Sequence, residues 1–292
     1  MENRKKSRIP RIAAIHDLSG FGRCALTVIL PVISSMGIQA VPIPTALLST
    51  HTGGFTEMYF EDLTAQMEKI SAHFDTLDIK FDAIYTGFLG SEHQIEVVSD
   101  FIDRFGGEDC LVFVDPVMGD DGELYSTYTK ELADGMKKLC QKADIITPNL
   151  TEACFLADVP YREQKDISRE EAMEFAKLLS DKISEFSLAD TVITGLHCNG
   201  DLVATYVKDK DSCRLHTEKH VGCNYPGTGD LFASVLLGKI INGASVYDAA
   251  VFASSFTRDT VEYSMGFDTP AREGVSFEPL LCRLTDRRGS EL

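Results

Sequence analysis

Short apolar runs alternate along this chain with longer segments in which apolar residues recur every three or four positions. The short runs, residues 11–15, 40–43, 83–86, 111–114, 144–147 and 191–194, read as strands. The amphipathic segments 24–36, 63–74, 92–105, 130–141 and 168–185 read as helices, and Pro31 is expected to bend the first. Ser168 followed by Glu171 has the spacing of a capping box. Such alternation implies a mainly parallel sheet with helices on both faces. After Thr194 the pattern changes. Residues 201–207 and 214–220 are both strand-like, and the turn signals Asn199-Gly200 and Lys208-Asp209-Lys210-Asp211 flank the first of them, so an antiparallel meander follows. Helices at 231–241 and 246–263 close the pattern. With no repeat and no low-complexity linker, residues 1–292 read as a single domain.

The formal net charge of -17 alters the picture of what this fold can bind. It argues against non-specific contact with nucleic acid or anionic lipid, which needs basic patches. Arg4, Lys5, Lys6 and Arg8 read as a short solvated tail. No stretch approaches the roughly 20 apolar residues of a membrane span, and no apolar segment of a secretory signal follows the basic start. The 8 cysteines form no C-x-x-C pair, which fits free thiols in a reducing cytoplasm. An acidic protein that handles polyphosphate must do so with backbone N–H groups, a metal ion or a few placed cations.

In open parallel sheets ligands lie beyond the C-terminal strand ends. Polar residues fall there repeatedly: Asp17, Thr86-Gly87-Phe88, Asp115-Pro116-Val117-Met118-Gly119-Asp120 and Thr147-Pro148-Asn149-Leu150-Thr151-Glu152. The most informative segment is Tyr225-Pro226-Gly227-Thr228-Gly229-Asp230-Leu231-Phe232, a glycine loop running straight into an apolar helix. Glycines let backbone N–H groups converge, and the helix start adds partial positive charge, which makes an anion site without lysine. There is no G-x-x-x-x-G-K-[ST] motif. Gly20-Phe21-Gly22-Arg23-Cys24-Ala25 matches G-x-G-x-x-A, but residues 39–49 hold no acid to bind a ribose, so the loop reads as substrate-side backbone. Cys223 precedes the glycine loop and is a further residue near a ligand in that reading.

Together these motifs resemble the ribokinase-like superfamily, and within it the pyridoxal kinase branch, over almost the whole chain. Gly227-Thr228-Gly229-Asp230 is similar to the family's anion hole and catalytic aspartate. The segments from Asp115 and from Thr147 resemble its D-P-V-[LM]-G-D and T-P-N-x-x-E stretches, Ser49-Thr50-His51-Thr52-Gly53 resembles S-N-H-T, and Thr86-Gly87-Phe88 resembles T-G-Y with Phe for Tyr. Hydroxymethylpyrimidine kinases usually carry cysteine where Asp230 stands, and the Gly-Gly stretch of sugar kinases is missing near residues 40–55. The branch usually ends its first strand in serine, where this chain has Asp17.

The resemblance implies a three-layer αβα sandwich and ATP-dependent phosphorylation of the 5′-hydroxymethyl group of a B6 vitamer. It assigns Asp230 as the base that takes the hydroxyl proton and Gly227, Thr228 and Gly229 as the anion hole. Asp17, His51, Thr52, Phe88 and Tyr125 would meet the vitamer. Asp115, Thr147, Asn149, Glu152 and Thr194 would face ATP, with Mg²⁺ held through water by Asp115 and Glu152. A monovalent-cation requirement stays open, and a cytoplasmic homodimer is implied. Three rivals remain: a hydroxymethylpyrimidine-type or other small-molecule kinase of the same superfamily, a nicotinamide-dependent oxidoreductase built on Gly20–Ala25, and a catalytically silent ATP-binding module.

Overall fold

The computed structural model describes residues 8–125, 128–162, 167–222 and 224–285. Its strands are β1 (Arg11–Phe21), β2 (Gln39–Thr50), β3 (Phe60–Asp62), β4 (Ala83–Thr86), β5 (Leu111–Val114), β6 (Gly119–Asp120), β7 (Glu123–Leu124), β8 (Ile145–Ile146), β9 (Asp190–Cys198), β10 (Leu202–Lys208) and β11 (Cys213–Lys219). The helices are α1 (Leu26–Ser35), α2 (Thr64–Thr76), α3 (Glu92–Phe105), α4 (Lys130–Cys140), α5 (Leu150–Ala157), α6 (Arg169–Ile183), α7 (Thr228–Ile241) and α8 (Val246–Ser264). Nine strands form one sheet in the order β11-β10-β9-β8-β5-β4-β1-β2-β3, and β6 and β7 pair as a separate hairpin. Strands from β2 across to β9 are parallel, while β3, β10 and β11 run antiparallel to their neighbours.

Strand alternation divides the core into two halves. Ala13, Ile15 and Ile84 face one side, where the apolar stripes of α3, α4 and α6 pack. Ile12, Ala14, Ala83 and Tyr85 face the other, against α1, α7 and α8. The result is the expected αβα sandwich with a mainly parallel sheet and an antiparallel C-terminal part.

Several elements differ from the sequence expectation. β2 continues to Thr50, although Pro42 and Pro44 interrupt its pattern. Both prolines lie before the stretch of β2 that β3 pairs, Ala46 to Leu48, so their missing N–H groups cost no bond to β3. β1 runs to Phe21, which puts Asp17 inside the strand at a register irregularity between His16 and Leu18. The β6–β7 hairpin, β3 and α5 were not anticipated. The Ser168 capping box is present, with Glu171 bonding back to the Ser168 N–H.

Candidate active site

α7 begins at Gly227, which adopts φ 80° and caps the helix with no side-chain bond. A Cβ at Gly227 would lie 2.0 Å from the Arg23 carbonyl oxygen, so only glycine lets this loop meet the turn before α1. At Gly229 a Cβ would meet nothing within 4 Å, because that backbone opens onto a cleft. The first N–H groups of a helix have no partner within it, so the start of α7 points donors into that cleft. Asp230 sits in this first turn, and its Oδ2 accepts the Ala25 N–H at 2.8 Å. The residue keeps some accessible surface, yet protein encloses its carboxyl. Burial pushes the group up to about 7, the Ala25 N–H opposes that, and the Asp17 charge adds to it.

The cleft holds about 460 Å³ and brings Gly227, Thr228, Gly229 and Asp230 opposite Asp115, Thr147, Asn149, Glu152, Thr194 and Tyr125. Asp115 follows β5 and extends the ladder through its N–H to the Thr86 carbonyl at 2.9 Å. Burial and the neighbouring Asp230 push its carboxyl up to about 8, with the Thr147 hydroxyl pulling the other way. Asn149 and Glu152 form a capping box at the start of α5. The Asn149 Oδ1 accepts the Glu152 N–H at 2.9 Å and its Nδ2 donates to the Gly119 carbonyl at 2.8 Å. Glu152 is 3% exposed and accepts the N–H groups of Met118 and Asn149. Burial, then the Asp115 charge, still raises it well above the usual carboxylate range. Thr194 joins this wall through its N–H to the Pro148 carbonyl at 3.0 Å.

The residues expected at the acceptor fall outside this cleft lining, apart from Tyr125. Asp17 is 9% exposed, its Oδ2 accepts the Ser19 hydroxyl at 2.9 Å, and its charge reaches Asp230 and Cys24. Burial raises its carboxyl. His51 is buried, with Nε2 against the Arg272 carbonyl at 2.7 Å and Nδ1 accepting the Gly53 N–H at 3.0 Å. Both ring nitrogens are therefore used inside the protein, Nε2 carries the proton, and only ring carbons are left for a ligand. Thr52 is exposed beside it. Phe88 is half-buried on the core and tilts against Tyr128 at 6.2 Å. Gly87 before it is required by packing, since a Cβ there would lie 2.2 Å from the His16 ring.

Sequence reasoning missed part of the cleft. Asp121, His197, Lys219, His220 and Arg258 line it as well, beside Asp120 at the end of the Asp115 segment. His220 directly follows β11 and was the nearest thing to a signal. Cys223 lies outside the described residues; the seven described cysteines are free. Among the described residues no helix is long and apolar enough to cross a membrane.

A family model described as phosphomethylpyrimidine kinase matches residues 30–273. The chain belongs to this kinase family. A crystal structure of a candidate phosphomethylpyrimidine kinase from Bacteroides thetaiotaomicron is similar at 41% identity and TM-score 0.88, with 96% of each chain covered. Its orthorhombic form, solved with pyridoxal, matches at 42% identity and TM-score 0.86, again over 96% of each chain. Pyridoxal kinase from Lactobacillus plantarum is similar at 27% identity and TM-score 0.86, over 95% of this chain and 97% of that one. The hydroxymethylpyrimidine/phosphomethylpyrimidine kinase of Bacillus subtilis is 27% identical over 79% of this chain and 80% of its own length. Two thiamine-biosynthesis relatives are longer: the match covers 47% of the Arabidopsis thaliana bifunctional enzyme and 32% of the Corynebacterium glutamicum multifunctional protein. Pyridoxal kinases stand among both the curated relatives and the structural neighbours, which sets the chain in the pyridoxal kinase branch of the ribokinase-like superfamily.

Proposed function

We propose that this kinase transfers the γ-phosphate of ATP to the 5′-hydroxymethyl group of a B6 vitamer. The observation that carries the reading is Asp230 at the start of α7, raised to about 7 and set beside the open backbone at Gly229. A carboxyl poised near neutrality suits a general base that takes the proton of an attacking hydroxyl. The N–H groups at Gly227, Thr228 and Gly229 are placed to stabilise charge on the transferred group. The rest of the cleft, to Thr194 and Arg258, has room for the donor.

Mg²⁺ fits this donor set. Asp115 and Glu152 are buried hard-oxygen groups whose proton affinity is raised by burial and by a neighbouring carboxylate, Asp230 beside Asp115 and Asp115 beside Glu152, the repulsion that a hard cation relieves. Contact through water suits Mg²⁺, which keeps several waters when it binds to one or two carboxylates. Bound there, the ion would neutralise phosphate oxygens. Tyr125 lies in the cleft with Asp115 and Glu152 as well as with Asp230, and stays the aromatic candidate for contact with the acceptor. Asp17, the ring edge of His51, Thr52 and Phe88 remain the acceptor-side candidates. The chain would work as one kinase domain, as a cytoplasmic homodimer.

Hydroxymethylpyrimidine is the second acceptor to weigh, because the family model and the Bacillus subtilis relative point to it. Asp230, where that branch usually has cysteine, favours the vitamer. The test is ATP consumption with Mg²⁺ and each of pyridoxal, pyridoxamine, pyridoxine and hydroxymethylpyrimidine. The reading expects at least one vitamer to exceed hydroxymethylpyrimidine in kcat/KM. Turnover of hydroxymethylpyrimidine alone would replace it.

A further inference from the structure

The catalytic role assigned to Asp230 needs one carboxylate oxygen free and the group fixed in place. A helix-start aspartate can swing or turn back onto its own helix N–H groups. Here its Oδ2 instead reaches across to the Ala25 N–H, at the start of a different helix, α1. Ala25 is held at φ 46° and ψ -134°, a conformation that L-residues other than glycine rarely adopt. It caps α1 with its carbonyl, which accepts the Val28 and Ile29 N–H groups at 3.0 and 2.9 Å.

The surroundings impose this conformation. The Thr27 hydroxyl closes the turn, accepting the Cys24 N–H at 3.3 Å and lying 2.6 Å from the Cys24 carbonyl and 3.3 Å from that of Gly22. The Arg23 N–H donates to the Glu273 carbonyl at 3.0 Å, which ties the turn to the C-terminal segment. Gly227 seats the Arg23 carbonyl against the start of α7. Strain at one backbone amide, held by three separate contacts, is the pattern of a pre-organised site.

We propose that Thr27 is a positioning residue for phosphoryl transfer: it holds the strained Gly22–Ala25 turn so that the Ala25 N–H fixes one oxygen of Asp230 and leaves the other for the acceptor hydroxyl. The proposal rests on Asp230 being the base. Thr27 itself touches neither substrate nor reacting atoms.

Two changes test it, both compared with Asp230→Asn. Thr27→Val keeps the shape and removes the hydroxyl. It should lower kcat by roughly ten-fold, the worth of one hydrogen bond to a charged group, with KM for ATP and acceptor within about two-fold. Thr27→Ser should restore most of the loss. If Thr27→Val does not fold, replacing alanine 25 by the corresponding α-hydroxy acid puts an ester oxygen in place of the N–H, and a fall in kcat at least as large is expected. Unchanged kcat in Thr27→Val or in the ester overturns the proposal, as does a loss that Thr27→Ser does not recover. If Asp230→Asn keeps wild-type turnover, the base assignment fails instead, and the proposal with it.

Discussion

At Asp230 burial and the Asp17 charge favour the protonated form, while the Ala25 N–H favours the ion. The balance leaves the carboxyl where a modest change in surroundings alters its use as a base. Asp230→Asn keeps the size and the hydrogen-bond acceptor, so fold and ATP affinity should stay near normal. Turnover should fall by at least about 100-fold, the lower end for losing a general base. Measured kcat and nucleotide Kd check this, and near-normal turnover removes the assignment. Asp17 stands where the resemblance leads one to expect serine. It does not cap α1, whose N-cap is Ala25 with no side-chain bond. It is a buried carboxyl with Ser19 as hydrogen-bond partner, close enough to Asp230 to repel it. An amine on the acceptor, near the reacting hydroxymethyl group, would satisfy it. Asp17→Ser is therefore expected to cut kcat/KM for pyridoxamine by about ten-fold more than for pyridoxine, since a charge-assisted bond contributes on the order of 1.5–3 kcal/mol. An equal loss for all three vitamers would place Asp17 at the ring nitrogen, and no change would take it off the acceptor.

The α7 loop contains two glycines with different jobs. Gly227 is shaped by the protein, since a side chain there meets the Arg23 carbonyl at 2.0 Å and φ is 80°. Gly229 faces open cleft, so a side chain there meets only what binds. Gly227→Ala should therefore lower the melting temperature, while Gly229→Val should leave it within a degree or two and weaken nucleotide binding and rate. Differential scanning fluorimetry and steady-state kinetics separate the two, and wild-type kinetics for Gly229→Val would end the anion-site reading. The loop was legible in the sequence because glycine spacing, an acid and an apolar run stand side by side. β4, α3 and β5 were legible to the residue, because each is a single apolar run or stripe with clear ends. α5 was not: it is eight residues long and buried nearly all round, so it shows no helical stripe. Its signal was Asn149 followed by Glu152, capping-box spacing that the functional motif masked. The β6–β7 hairpin has two residues per strand, too few for any period, yet it supplies the Gly119 carbonyl that holds Asn149. Long-range placement explains the remaining gaps. No local pattern tells that His51 spends both nitrogens on backbone, one of them 221 residues away.

Across the whole molecule the net charge is -17, and several of the carboxyls, Asp115, Glu152 and Asp230, line the cleft. Asp115 is raised to about 8 and Asp230 to about 7, and Glu152 is raised too. Unfolded, such groups titrate near 4. Between those values the folded chain holds protons that the unfolded chain has released. Their contribution to stability is therefore full below about pH 4 and is lost as pH rises through the folded values. His16 acts in the opposite sense: burial lowers it to about 3, so it destabilises the fold only as pH falls below about 6.5. From about pH 6.5 upward His16 is neutral in the folded state and increasingly so in the unfolded one, so its opposing effect fades and the acids dominate. The ligand-free chain should lose stability over that interval, on the order of 2 kcal/mol for about one proton's difference. Asp115→Asn should remove much of the slope and raise the melting temperature at pH 8 while abolishing turnover, the exchange expected when function keeps like charges buried together. Mg²⁺ with ATP should stabilise the wild-type chain more at pH 8 than at pH 6.5, because binding needs those carboxyls ionised. Melting curves at pH 6.5, 7.2 and 8.0, with and without Mg²⁺ and ATP, measure both effects. A melting temperature that stays flat or rises towards pH 8 in the ligand-free wild type would show that the cleft carboxyls are already ionised at neutral pH, and Asp115→Asn would then bring no gain.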